Sequence, residues 1–149
     1  MTNWKEQIVE KLPYGPGFLF VDRIKELSED TVSGEYTFTG EEFFYKHHFP
    51  DRPITPGVIL LECMAQIGLV CLGLYLEREQ ELEDHTHVLF TDTQVNFRQI
   101  VPRGTTVKVE AKKVYYRMGK LKVNASMWNK KGERIASGSL AGMIQKRKG

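Results

Sequence analysis

The chain has 149 residues, the usual size of one domain and too short for two comfortable ones. Its 41% apolar, 11% aromatic and 27% charged residues exclude the disordered and fibrous classes. A net charge of +2 falls well short of the concentrated positive face of a dedicated nucleic-acid binder, so no nucleic-acid partner is expected.

Trp4, Ile8 and Leu12 recur every four positions, which predicts a short amphipathic helix over 4–12, ended by Pro13. The same stretch lacks the basic start, apolar run and small-residue cleavage site of a secretion signal. A cytoplasmic location is therefore expected. After the turn-rich Pro13 to Gly17, segments 18–27 and 31–39 are rich in β-branched and aromatic residues. Ser28, Glu29 and Asp30 separate them, so the pair reads as a first hairpin.

The run from Gly57 to Leu76, GVILLECMAQIGLVCLGLYL, is long enough to cross a bilayer. Glu62 and Gln66 in its first half argue against that, because an intramembrane carboxylate is costly. A core helix wrapped by a sheet is expected instead, and no membrane partner. Cys63 and Cys71 on this helix stand roughly 12 Å apart, beyond the reach of about 7 Å for a disulfide. They read as small core residues in a reducing compartment.

A charged loop over 77–84 follows, and then extended segments at about 87–100, 105–117, 120–129 and 134–145. Gly119 and the stretch from Asn129 to Gly132 supply the turns of an antiparallel meander. The expected fold class is α+β: one domain over residues 1–149 in which an antiparallel sheet wraps a long central helix. Lys108, Lys112, Lys113, Arg117, Lys120 and Lys122 fall on solvated strand faces or form a docking surface for an acidic partner. Lys146, Arg147 and Lys148 read as a frayed terminus. Asp84, His85 and His87 resemble a metal-ligand cluster, yet His85 and His87 would simply share one strand face, so no metal is expected.

From Tyr45 the chain reads YKHHFPDRPITPGVILLECMAQ. A histidine sits in a loop punctuated by prolines, and fourteen residues later Glu62 sits in a helix that otherwise rejects charge. Apolar surroundings push a carboxyl pKa up, so Glu62 can stay protonated and act as a general acid. An imidazole is the natural complementary base. Gln66 lies one turn beyond Glu62 and can hold its carboxyl or a bound water. Pro56 before Gly57 reads as a helix start, where unbonded N–H groups and the positive dipole end can bind an oxyanion. Gly57 also lets a ligand approach the backbone closely. Acid, base and oxyanion donor together suit the elimination of water from a 3-hydroxyacyl thioester. A loop histidine and a helix-buried glutamate are each more often structural, and it is their combination that points to chemistry.

These same residues carry a resemblance. His48, Phe49, Pro50, then Pro56, Gly57, then Glu62, Ala65, Gln66 resemble the signature of the bacterial 3-hydroxyacyl-acyl-carrier-protein dehydratases of fatty-acid synthesis. LPYGPGFLFVDRI and VNFRQIVPRGTTVKVEAKKV are similar to that family's flanking strands, so the likeness runs from about Leu12 to Ile144. The resemblance implies the hot-dog fold, His48 and Glu62 as catalytic residues, and Gly57, Phe49, Pro50 and Gln66 as oxyanion and substrate-binding residues. It implies a homodimer in which His48 of one subunit faces Glu62 of the other, in some cases built into a hexamer as a trimer of dimers. It also implies an apolar tunnel at the dimer interface and an acyl chain carried on phosphopantetheine, with acyl carrier protein or coenzyme A as partner and no cofactor. Glu rather than Asp at 62 is similar to the branch that only dehydrates. His47, Thr55 and Cys63 stand where the family commonly has Gly, Met and Ala, departures that bear on substrate shape and admit a polyene or polyketide intermediate. A hot-dog thioesterase or a non-catalytic acyl-thioester binder are the competing expectations.

Overall fold

Apolar side chains on every side of the helix Gly57–Leu76, here α2, are stable in water only if other elements enclose it. In the computed structural model, which describes residues 3–79 and 86–146, a sheet does so. Helix α1 (Trp4–Glu10) precedes strands β1 (Arg23–Leu27) and β2 (Thr31–Phe38). After α2 come β3 (Thr86–Phe97), β4 (Thr105–Arg117), β5 (Lys120–Trp128) and β6 (Arg134–Lys146). The strand order is β1-β2-β4-β5-β6-β3, with every neighbouring pair antiparallel. By length and composition α2 could cross a membrane, but 78% of its most apolar window is buried inside the protein. This is the α+β architecture expected from the sequence, a curled sheet around a long helix.

Strand alternation explains how the sheet grips the helix. Leu121, Val123, Ala125 and Met127 of β5 and Val107, Val109 and Ala111 of β4 all point into the core. They meet Met64, Ile67, Leu69 and Leu72 of α2 in one cluster. Each of the valine, leucine, isoleucine and methionine side chains, fully buried, stabilises by about 1.5–3 kcal/mol relative to exposure. Helix and sheet come close at Gly68, where a side-chain carbon would lie 2.9 Å from the Ala111 methyl. One turn of α2, Gln66–Val70, is π-helical, a local widening often found at functional sites.

Two sequence expectations need correction. The first helix stops at Glu10, and Leu12 instead turns into the core. The extended segment placed over 18–27 is a strand only from Arg23, after a short 3-10 turn at Pro16–Phe18. Residues 18–20 spend their backbone polar groups on α2: Phe20 N–H on Gln66, Phe18 C=O on Gln66, and Phe20 C=O on the Cys63 thiol. A backbone bonded to helix side chains has none left for a neighbouring strand.

Among the described residues strand β3 pairs with β6 alone and leaves its other edge open. Over its 12 residues most positions are exposed, including Leu89, Phe90 and Phe97. Several cations of the later strands sit in surface ion pairs, Lys108 with Glu110, Lys113 with Asp30 and Lys120 with Asp92, and such pairs contribute little to stability. Asp84, His85, Arg147 and Lys148 lie outside the described residues. His87 pairs with Gln145 on β6.

Candidate active site

Between β2 and α2 the chain makes an irregular loop over residues 39–56. A tight turn, with His47 and His48 N–H groups both donating to the Phe44 carbonyl at 3.0 and 2.9 Å, presents His48. The His48 imidazole Nδ1 lies 3.2 Å from the Ile54 carbonyl oxygen. A carbonyl only accepts, so Nδ1 is the nitrogen that carries the proton in this contact, and in the neutral imidazole this leaves the Nε2 lone pair for a base. Phe49 stacks on the imidazole with ring centroids 4.1 Å apart and is itself half exposed. Phe49 and Arg52 exchange backbone hydrogen bonds of 3.0 Å, which bends the loop around Pro50.

Pro56 caps α2 in an extended conformation, with φ −61° and ψ 139°. The first helical bonds are those of Ile59 and Leu60 to the Pro56 carbonyl, so the Gly57 and Val58 N–H groups precede the ladder and remain for an acceptor. Gly57 is exposed, and a side chain there would point toward the Phe97 ring at 3.8 Å. Phe97, at the end of the open strand β3, thus flanks the helix start. It lies inside the VNFRQ stretch already noted, but only the fold reveals its place beside Gly57.

Glu62 lies on the first part of α2, more than half buried. Burial pushes its carboxyl above the usual carboxylate range, and the Gln66 hydrogen bond opposes this in part. Gln66 is fully buried. Its Nε2 donates to Glu62 Oε2 at 3.0 Å and to the Phe18 carbonyl at 2.9 Å, while its Oε1 accepts the Phe20 N–H at 2.7 Å. The amide is therefore fixed at both ends, and it fixes the carboxyl. Burial, with the Glu62 carboxylate nearby, also pushes the Tyr14 phenol up. Tyr14 is a neighbour of Glu62 that sequence reasoning missed, since nothing local links position 14 to position 62.

Within one protomer His48 and Glu62 sit on separate elements, and among the described residues no hydrogen bond joins them. A cleft of about 440 Å³ borders the His48 loop, lined by Tyr45, Lys46, Pro50 and Arg103 among others, and includes neither His48 nor Glu62. Cys63 and Cys71 are buried free thiols, both pushed up by burial and hence poor nucleophiles. What the protomer offers is an oriented imidazole, a carboxyl that burial shifts toward its acid form, and unbonded N–H groups at a helix start.

A family model described as a FabA-like domain matches residues 12–139. The 3-hydroxyacyl-(acyl-carrier-protein) dehydratase FabZ of Acinetobacter baylyi is 32% identical over 121 residues, 81% of each chain. The enzyme of the same name from Methylobacterium sp. is 36% identical over 136 residues, 90% of this chain and 77% of that one. Among solved structures, the dehydratase heterocomplex ApeI:P from Xenorhabdus doucetiae matches with a TM-score of 0.78 at 13% identity, covering 94% of this chain and 91% of that one. Zebra fish thioesterase superfamily member 2 matches with a TM-score of 0.68 at 15% identity, covering 93% and 94%. At such identities the structures share the fold, which is the hot-dog fold.

Proposed function

This chain belongs to the FabA-like family, and on that premise we propose how it removes water from 3-hydroxyacyl thioesters borne on acyl carrier protein. His48 is the base and Glu62 the acid. The His48 Nε2 lone pair takes a proton from C2, and the electron pair moves onto the thioester oxygen. The Gly57 N–H and the positive end of α2 stabilise that oxyanion. The enolate then collapses to the 2-enoyl thioester, and the C3 hydroxyl leaves as water with the proton from Glu62. Gln66 holds one carboxyl oxygen of Glu62, so the protonated oxygen is free to face the substrate. Phe49 and Pro50 shape the mouth of the site beside His48. The chemistry draws on no resident cofactor, because phosphopantetheine arrives with the substrate.

The single observation that carries this reading is the buried Glu62 carboxyl, shifted toward its acid form by burial and aimed by a fully bonded Gln66.

The working unit is a homodimer in the cytoplasm. The open, apolar edge of β3 would template aggregation if left bare, and a second copy is the natural cover. Isologous pairing of two such edges puts Phe97 and the α2 start of each subunit at the seam, where His48 of one subunit meets Glu62 of the other. A coenzyme A thioester fills the same role in assays, since it carries the same arm.

The test is hydration of a crotonyl thioester, the reverse reaction, followed as loss of enoyl absorbance. His48→Ala and Glu62→Gln should each lower the rate by at least about 10²-fold, the usual worth of a positioned acid or base. Release of free thiol without hydration would overturn the reading in favour of a thioesterase, a function found on this fold. Binding of the thioester with neither reaction would favour a non-catalytic acyl binder.

A further inference from the structure

A base serves a reaction only if it is held to within about 0.5 Å of its working position, yet His48 sits on an irregular loop. Its ends are closed by the Ile54 N–H, which donates to the His48 carbonyl at 3.0 Å. Just outside that closure Tyr45 and Thr55 meet through their hydroxyls at 2.6 Å. Both residues are buried, at 2% and 5% exposure. The Thr55 N–H donates to the Val101 carbonyl at 3.0 Å, which ties the pair to the segment leading into β4.

We propose that the Tyr45–Thr55 hydrogen bond positions the catalytic loop, setting the Ile54 carbonyl that orients His48 on one side and the start of α2 on the other. This rests on His48 acting as the base. Thr55 is covalently joined to both partners: Ile54, whose carbonyl accepts from His48 Nδ1, and Pro56, the cap of α2. One residue therefore lies between the acceptor that fixes the imidazole and the cap that precedes Gly57. A displacement of Thr55 moves base and oxyanion donor together. Position 55 is also where the resembled family commonly has Met. A buried hydroxyl there is costly without a partner, and Tyr45, fixed in turn by its ring against Phe44 at 4.6 Å, supplies one with a direction that an apolar contact lacks. Burial pushes the Tyr45 phenol up to about 12, so it stays protonated across the working range.

The experiment compares Thr55→Val, Tyr45→Phe, the double variant and Thr55→Ser in crotonyl thioester hydration, with thermal midpoints to follow folding. Each of the first two should lower kcat about tenfold, a modest misplacement in scale, with KM within about twofold. The double variant should be no worse than the poorer single, because one shared bond is removed. Thr55→Ser, which keeps the hydroxyl, should recover kcat to within about twofold. Wild-type kcat in both single variants, losses that multiply in the double, or a serine variant as poor as the valine one would overturn the proposal. Should Thr55→Val fail to fold, Tyr45→Phe decides the matter, and full kcat there overturns it. Indifferent variants in an enzyme silenced by His48→Ala sink the positioning role alone. Activity that survives His48→Ala sinks the base assignment, and the positioning role with it.

Discussion

Gln66 donates its side-chain N–H to the Glu62 carboxyl across 3.0 Å, and its two remaining bonds go to the backbone of residues 18 and 20. The glutamate is thereby aimed from a point outside its own helix. Replacing Gln66 with Leu keeps the volume and removes all three bonds. It leaves the buried Phe20 N–H without an acceptor, which costs roughly 1–3 kcal/mol, and frees the Glu62 carboxyl to rotate. A lower denaturant midpoint together with a kcat reduced by about tenfold or more is the expected outcome. Full activity in a destabilised variant would show that Gln66 is scaffold only.

Burial raises the Glu62 pKa, and the sign of the consequence is definite. A group whose folded pKa exceeds its unfolded value gives stability that is complete below the unfolded pKa and lost as pH rises through the folded one. Glu62→Gln, which cannot ionise, is thus expected to gain stability over wild type near neutral pH. The difference should vanish below about pH 4, near the ordinary carboxylate value. Urea unfolding at the two pH values reads this directly. The same shift places the alkaline limb of the dehydration profile above the ordinary carboxylate range, since activity needs the protonated acid. Equal stability of the two proteins at neutral pH would remove the basis for a neutral Glu62.

Much of this was readable from the chain because local pattern and tertiary role agree. The run from Gly57 to Leu76 announces a core helix by length and apolarity, and β5 alternates Leu121, Val123, Ala125 and Met127 inward just as a half-buried strand should. His48 and Glu62 stand out because each breaks the pattern around it, one by falling among prolines and the other by placing a carboxyl in an apolar helix. What was hidden rests on bonds between distant positions. Residues 18–20 look like strand but give their backbone groups to Gln66 and Cys63, 43 to 48 residues away. Tyr14 near Glu62 and Thr55 against Tyr45 are visible only once the loop and helix are folded together.

Two glycines on β6 control how closely β3 lies. A side-chain carbon at Gly138 would come within 2.7 Å of the Val95 Cα, and one at Gly142 within 2.8 Å of the Leu89 carbonyl oxygen. Both obstacles are backbone, so they yield only if the strand moves. Gly138→Ala is expected to cost roughly 1–3 kcal/mol, the scale of overpacking, and to push out the edge that we assign to the dimer seam. A lowered thermal midpoint accompanied by a shift toward monomer in sedimentation would fit. An unaltered dimer of full activity would place the seam elsewhere.

The sharpest consequence of a shared site is complementation between two dead proteins. A His48→Ala subunit keeps Glu62, and a Glu62→Gln subunit keeps His48. In a heterodimer of the two, one site combines both lesions, while the other receives an intact histidine and an intact glutamate from opposite subunits. Isologous symmetry makes this unavoidable if the pair acts across the seam. When equal amounts are unfolded together and refolded, half of the dimers should be mixed, and each carries one working site. Hydration activity should therefore recover to about a quarter of wild type. If both residues act within the same chain, mixing restores nothing, because every site in a heterodimer then carries one lesion. Silence in the refolded mixture, with mixed dimers demonstrated by differential tagging, would assign the acid and base to one chain and end the cross-subunit arrangement.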